Sequence, residues 1–258
     1  MVVIHDAAVF RTPENFDRRY AMIHQALGKA LALTSTIGTV SEFSRHELSD
    51  VLKIPAERIF TAPNGAEHLK DNEVDPGILD RLELEAGRFF LFVGSPTRNK
   101  NLPLAIEAFT RLADPSAKLV VAGSLSGTVF RNSGDLDRPG VVLPGYLQDA
   151  EISALYQSAT ALVFPSRYEG FGIPPLEAMM RGCPVLASNI PPVLEVCGEA
   201  AENFSPDDAD KLTELMRLRL DHPDQRDAII QKGLIRAKQW TWEKSAGRLA
   251  EAIERHFS

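Results

Sequence analysis

Short apolar runs and longer amphipathic stretches alternate along most of the chain. β-Branched and aromatic residues cluster at 2–5, 36–40, 58–61, 89–93, 118–122, 141–143, 161–164 and 184–187. Several of these runs, Phe89-Phe-Leu-Phe-Val93 above all, are apolar at every position, the pattern of a strand covered on both faces. Helical spacing fills most of the gaps, as at 102–112, 149–158 and 175–181. That rhythm predicts βαβ units and an α/β fold with doubly wound parallel sheets. The last third changes character: 207–220, 225–239 and 243–257 read as amphipathic helices with no strand between them. A polar, turn-rich stretch at 69–77 separates two groups of strands and predicts a joint. The expected divisions are 1–75, 76–240 and a closing helix over 241–258.

Composition narrows the class. The 258 residues are 44% hydrophobic and 24% charged, ordinary for a globular protein with a sizeable core. A net charge of −7 argues against a nucleic-acid partner, which would require a basic face. Two cysteines, Cys183 and Cys197, are too few for a disulfide framework and read as packed thiols in a reducing compartment. The opening residues show neither the basic nor the apolar region of a signal peptide. No apolar run approaches the roughly 20 residues of a membrane helix, so the expected location is the cytoplasm. The six histidines are scattered without ligand spacing, and Asp135 and Asp137 sit in a polar loop beside Arg138 and Pro139. No bound metal is expected.

The densest chemical signal is Phe164-Pro-Ser-Arg-Tyr-Glu-Gly-Phe-Gly-Ile-Pro-Pro-Leu-Glu-Ala-Met179. It reads as a strand end, a Gly-rich loop and a helix opened by Pro174 and Pro175, proline being suited to the first helical turn. Gly170 and Gly172 let the backbone approach a ligand, and the unpaired N–H groups of a helix start attract anions. Glu169 and Glu177 flank that loop, where carboxylates can accept hydrogen bonds from sugar hydroxyls. The alternative is a structural turn with Glu177 as a helix-start acid. A second signal, Phe92-Val-Gly-Ser-Pro-Thr-Arg-Asn-Lys-Asn-Leu102, places Arg98 and Lys100 past the carboxyl end of a strand, where open α/β sheets bind ligands. Two such cations form either a diphosphate clamp or a solvated basic loop. A nicotinamide-dependent oxidoreductase is disfavoured, because no strand is followed by G-x-G-x-x-G and Gly123-Ser-Leu-Ser-Gly127 does not supply it.

The frame from Glu169 to Glu177 resembles the signature of retaining glycosyltransferase family 4. Gly145-Tyr-Leu147, 161–166, 181–188 and 192–198 are similar to that family's nucleotide-sugar half, in its order. Val40-Ser-Glu-Phe-Ser-Arg45 and Ala62-Pro-Asn-Gly65 resemble its interdomain passage. The resemblance implies a GT-B fold, two Rossmann-like domains facing across a cleft, with the donor in the C-terminal one. By position it assigns Glu177 to the donor ribose and Glu169 to the donor sugar. Gly94, Gly170 and the backbone of Phe171 and Gly172 would meet the diphosphate or sugar. Arg98 and Lys100 would neutralise the leaving group, Gly145, Tyr146 and Leu147 would border the base, and His5 would face the cleft from the acceptor side. Glu169, Lys100 and His5 are thereby the implied catalytic residues. The family commonly has Arg directly before the Lys; here Asn99 intervenes.

The resemblance further implies transfer of a hexose from a GDP- or UDP-linked donor to a saccharide or lipid-linked acceptor, with retention and with neither metal nor other cofactor. Surface polysaccharide or lipopolysaccharide synthesis is the implied setting, with peripheral contact to the inner membrane face. Pro13-Glu-Asn-Phe16 after His5-Asp6 is similar to mannosyltransferase relatives, so mannose is the first expectation. Trp240 and Trp242 read as aromatic packing before the last helix, where the family's chain crosses back to its first domain. Residues 1–70 predict only three strands, whereas a Rossmann-like half has about six. A chain that binds donor but needs self-association or a partner to complete its acceptor side is therefore expected, with a nucleotide-sugar-binding module as the alternative to an enzyme.

Overall fold

The computed structural model describes residues 1–69, 73–123 and 138–257. Asp135, Asp137 and most of the stretch from Gly123 to Gly127 lie outside them. The chain forms two parallel sheets. The first holds β1 (Val2–Val3), β2 (Ile37–Thr39) and β3 (Ile59–Thr61) in that order. Its helices are α1 (Ala8–Arg11), α2 (Arg18–Thr34) and α3 (Glu42–Leu52). Asp17 caps α2 by accepting from the N–H groups of Arg19 and Tyr20, and Ser41 caps α3 by accepting from Ser44. Ile37, Leu48, Leu52 and Ile59 make a small core.

A helical turn, α4 (Gly77–Arg81), precedes the second sheet. Its strands are β4 (Phe89–Val93), β5 (Lys118–Ala122), β6 (Val141–Gly145), β7 (Ala161–Phe164), β8 (Val185–Ser188) and β9 (Glu202–Phe204). They lie side by side as β6-β5-β4-β7-β8-β9, with every recorded pairing parallel. This is the doubly wound strand order 3-2-1-4-5-6, whose direction of winding reverses between β4 and β7. The intervening helices are α5 (Leu102–Leu112), α6 (Asp149–Ser158), α7 (Ile173–Met180) and α8 (Pro191–Cys197). They are followed by α9 (Ala209–Asp221), α10 (Arg226–Ala237) and α11 (Trp242–Phe257).

Strand alternation splits the core into two layers. Phe89, Leu91, Leu162 and Phe164 face Tyr156, Leu176 and Met179, while Phe90, Phe92 and Val163 face Phe109, Leu212 and Met216. Both faces of the sheet are thus covered, which is why these strands read as unbroken apolar runs. The structure differs from the sequence expectation in detail. The run at 2–5 yields only two strand residues, β9 joins as an unforeseen edge strand, and the helix expected over 225–239 is α10 alone, entered from a 3-10 turn at Pro223–Gln225. No helix of the described residues is long and apolar enough to cross a membrane.

The two sheets are tied together around one loop. Ser41 and Ser44 both donate their hydroxyls to the carbonyl of Gly170, at 2.6 and 2.9 Å. The Glu195 carboxylate accepts from the first amides of α3, Glu42 at 2.8 Å and Phe43 at 3.1 Å, where a helix start favours negative charge. α11 returns to the first sheet, with Trp242 N–H donating to Glu67 and Arg248 to Thr61.

Candidate active site

The reversal of winding leaves a crevice at the carboxyl ends of β4 and β7, and both sequence motifs emerge there. After β4, Gly94 opens a turn that ends in a 3-10 helix over Arg98–Lys100. After β7, the chain runs through Glu169 to Gly172, whose φ of +119° is a conformation that side chains rarely adopt. α7 then begins directly. The two loops are stitched together: Asn101 donates to the carbonyls of Pro165 and Pro206, and Arg167 N–H donates to Asn99.

Within this frame Lys100 Nζ lies 2.7 Å from Glu169 Oε1. The lysine also sits over the ring of Phe164, 5.3 Å from its centroid. Arg98, in the same turn, is exposed and forms no ion pair with Glu169 or Glu177 among the described residues. The structure therefore brings Lys100, not Arg98, against the Gly-rich loop.

The loop itself presents backbone donors. Gly170 donates nothing to Ser41 and Ser44; its carbonyl accepts from both, and its peptide is trans, as are all those described. A trans peptide directs the next N–H opposite to the carbonyl, so this clamp fixes the Phe171 N–H away from α3. The N–H groups of Phe171 and Gly172 have no acceptor among the described residues. Beneath them the Phe171 ring packs edge-on against Trp240, 5.4 Å between centroids, and the Trp240 indole donates to Val196.

Glu177 is held one turn along α7. Its Oε2 accepts from the hydroxyl of Tyr156 at 3.0 Å, and its Oε1 faces His68 Nε2 at 3.7 Å. Burial pushes its pKa up, and the Tyr156 hydrogen bond and His68 oppose that shift. At the sheet's edge β6 ends on Gly145; Tyr146 is exposed and Leu147 buried. His5 stands just beyond β1 and lines, with Thr97 and Asn99, a groove of about 510 Å³ floored by Phe10, Phe16 and Leu27. Its carbonyl abuts Gly170 so closely that a Cβ there would lie 2.6 Å away. Burial raises the Cys183 and Cys197 thiols to about 12, which makes both inert.

Sequence reasoning missed Tyr156, His68, Ser41 and Ser44. Ser41 and Ser44 lie in the 40–45 stretch that resembles the family's interdomain passage, but nothing local points to the Gly170 carbonyl as their partner. Tyr156 lies within the helix predicted at 149–158, where nothing local marks its hydroxyl for a partner.

An all-parallel sheet in doubly wound order, with Gly-rich loops at its reversal and a second parallel sheet facing it, defines a GT-B type glycosyltransferase. The chain belongs to the glycosyl transferases group 1, whose family pattern matches residues 80–236. It is 29% identical over 265 residues to O-antigen chain mannosyltransferase B of Escherichia coli, across 98% of this chain and 70% of that protein. It is 26% identical over 230 residues to the serotype-specific mannosyltransferase WbdA of Escherichia coli, across 81% of this chain but only 27% of the relative. Among solved structures, HepE of Anabaena, in complex with UDP and glucose, superposes with a TM-score of 0.81 at 18% identity, covering 98% of this chain and 71% of that one.

Proposed function

We propose that the chain transfers a hexose, with mannose the first candidate, from a GDP- or UDP-linked donor to a saccharide or lipid-linked acceptor in bacterial surface polysaccharide synthesis, with retention as in family 4. The observation that carries this reading is the Lys100–Glu169 pair beside the open amides of Phe171 and Gly172 at the winding reversal. The two mannosyltransferase relatives support the sugar, and the HepE complex supports a nucleotide-diphosphate donor.

In this reading Lys100 and the amides of Phe171 and Gly172 meet the diphosphate, with Arg98 available from the rim. Glu177 takes the ribose, Glu169 the donor sugar, and Gly145 to Leu147 border the base. Breaking the sugar–phosphate bond builds positive charge at the anomeric carbon and negative charge on the departing diphosphate. Preorganised donors at the phosphate lower that barrier without reorganising. The acceptor hydroxyl attacks from the face the diphosphate leaves, passing its proton to a phosphate oxygen, so no side chain acts as nucleophile. His5, across the loop, faces the acceptor.

The test is incubation with GDP-mannose, UDP-glucose and related donors alongside oligosaccharide and lipid-linked acceptors, with the product's anomeric configuration read by NMR. Transfer that keeps the donor's configuration is expected. Inversion would overturn the retaining mechanism, and donor binding with neither transfer nor donor cleavage would leave a nucleotide-sugar-binding module.

A further inference from the structure

We propose that Tyr156 is a positioning residue for donor recognition: its buried hydroxyl fixes one oxygen of Glu177 so that the other is presented to the ribose. This rests on the assignment of Glu177 to the ribose made above.

Tyr156 lies on α6 and is 0% exposed. Its ring packs in the layer between the second sheet and α7, together with Leu155, Leu176 and Met179. The hydroxyl at the end of this ring is the one polar part of the side chain, and Glu177 Oε2 accepts its hydrogen at 3.0 Å. A hydroxyl buried so completely is costly to leave unpaired, so the ring and the carboxylate hold each other. Ring and helix are both anchored, and the carboxylate is therefore fixed at its inner oxygen.

The outer oxygen is left for a ligand. Glu177 Oε1 makes no hydrogen bond among the described residues, its side chain keeps 16% of its exposure, and His68 Nε2, on the turn Glu67–Leu69, stands 3.7 Å away. A free carboxylate with several rotatable bonds would have to be ordered by the ligand at the ligand's expense; one already held by Tyr156 needs no such ordering. A glutamate accepting from a neutral hydroxyl inside and from a ribose hydroxyl outside uses one oxygen for each.

The same contact sets the acid limit of binding. An ionised carboxylate accepts hydrogen bonds more strongly than its protonated form. The groups facing Glu177 are Tyr156 and Asp149 from α6 and His68 from the turn at Glu67–Leu69. Burial and Asp149 favour the protonated form, whereas Tyr156 and His68 favour the carboxylate. Removing the Tyr156 hydroxyl takes away one of the two stabilising contacts, so the carboxylate must protonate at a higher pH.

The test compares Tyr156→Phe, Glu177→Ala and wild type by calorimetry. The probes are GDP and UDP and the 2′,3′-dideoxy form of whichever binds more tightly. Tyr156→Phe keeps the ring and its packing. The expected result is about a tenfold loss of ribonucleotide affinity, no loss for the dideoxy analogue, and an acid limb of ribonucleotide binding moved to higher pH. Equal losses for both probes would make Tyr156 a packing residue and overturn the proposal. If Glu177→Ala separates the two probes and Tyr156→Phe does not, the proposal fails while the ribose role of Glu177 stands. If Glu177→Ala fails to separate them, the ribose reading falls and the proposal with it.

Discussion

Lys100 and Glu169, 69 residues apart, are joined by a 2.7 Å ion pair in which the side chains keep only 21% and 12% of their exposure. Each neutralises the other until a ligand arrives, so neither charge is stranded in a half-buried crevice. An ammonium has three donors and can hold the carboxylate and a phosphate oxygen together. Glu169→Ala releases Lys100 to a bare nucleoside diphosphate but removes an acceptor for sugar hydroxyls. The expected outcome is unchanged or tighter binding of GDP or UDP and about a tenfold weaker binding of the matching nucleotide sugar. Equal weakening of both ligands would refute this division.

The second prediction concerns the clamp on Gly170. Its carbonyl is gripped from the first sheet by Ser41 and Ser44, and its Cα faces the carbonyl of His5. A methyl group at Gly170 would sit 2.6 Å from that backbone oxygen, which has no flexible end to yield. Gly170→Ala must push the loop and the first sheet apart, misaiming the Phe171 N–H. Displacements of about an ångström cost on the order of a hundredfold in turnover. Steady-state assays should show that fall in kcat for Gly170→Ala and a smaller one for Ser44→Ala, which deletes one of two donors. Normal kcat in both variants would remove the clamp from catalysis.

Much of the second sheet was legible because its strands are buried on both faces and announce themselves as apolar runs. The two ligand loops were legible because glycine, proline and charge occur together there for reasons of backbone geometry. β9 was not: Glu202-Asn-Phe204 is an edge strand with only Phe204 buried, and it carries no apolar run. α2 inverted the usual signal. Its buried residues are Ala21, Gly28 and Ala32, while Met22, Ile23, Leu27 and Leu33 are exposed. The pairing of Tyr156 with Glu177 was invisible for another reason: it joins side chains from two different helices, α6 and α7, which no local pattern encodes.

The third prediction is a cost of function. Burial raises the Glu177 pKa above its unfolded value, so the folded chain holds that proton to higher pH than the unfolded chain. Stability therefore falls as pH rises from the ordinary carboxylate range through the folded-state value. Glu177→Gln retains an acceptor for Tyr156 without the charge. Its Tm should exceed that of wild type at neutral pH, with the gap closing as pH falls to the ordinary carboxylate range. A gap that is constant across this range would mean the carboxylate's charge carries no penalty.

The fourth prediction concerns the support beneath the loop. Trp240 packs against Phe171 and also lies beneath the guanidinium of Arg236, 5.5 Å from the ring. Trp240→Ala should lower stability by about 3 kcal/mol and weaken nucleotide binding, since Phe171 loses its floor. Trp240→Phe, which keeps an aromatic face but not the bond to Val196, should restore most of the binding. Denaturant unfolding and calorimetry on the two variants measure both effects. Undiminished nucleotide affinity in Trp240→Ala would separate the floor from the site.

The central claim is that a nucleotide-diphosphate sugar binds at the reversal between β4 and β7 through Lys100. Its most direct measurement is calorimetric titration of GDP-mannose and UDP-glucose into wild type and Lys100→Ala at low and high salt. A charge-assisted phosphate contact contributes about 1.5–3 kcal/mol, so the variant should bind the preferred donor at least about tenfold more weakly. Wild-type affinity should also fall as salt rises, with the variant's falling less steeply. Identical dissociation constants and identical salt dependence in the two proteins would contradict the account.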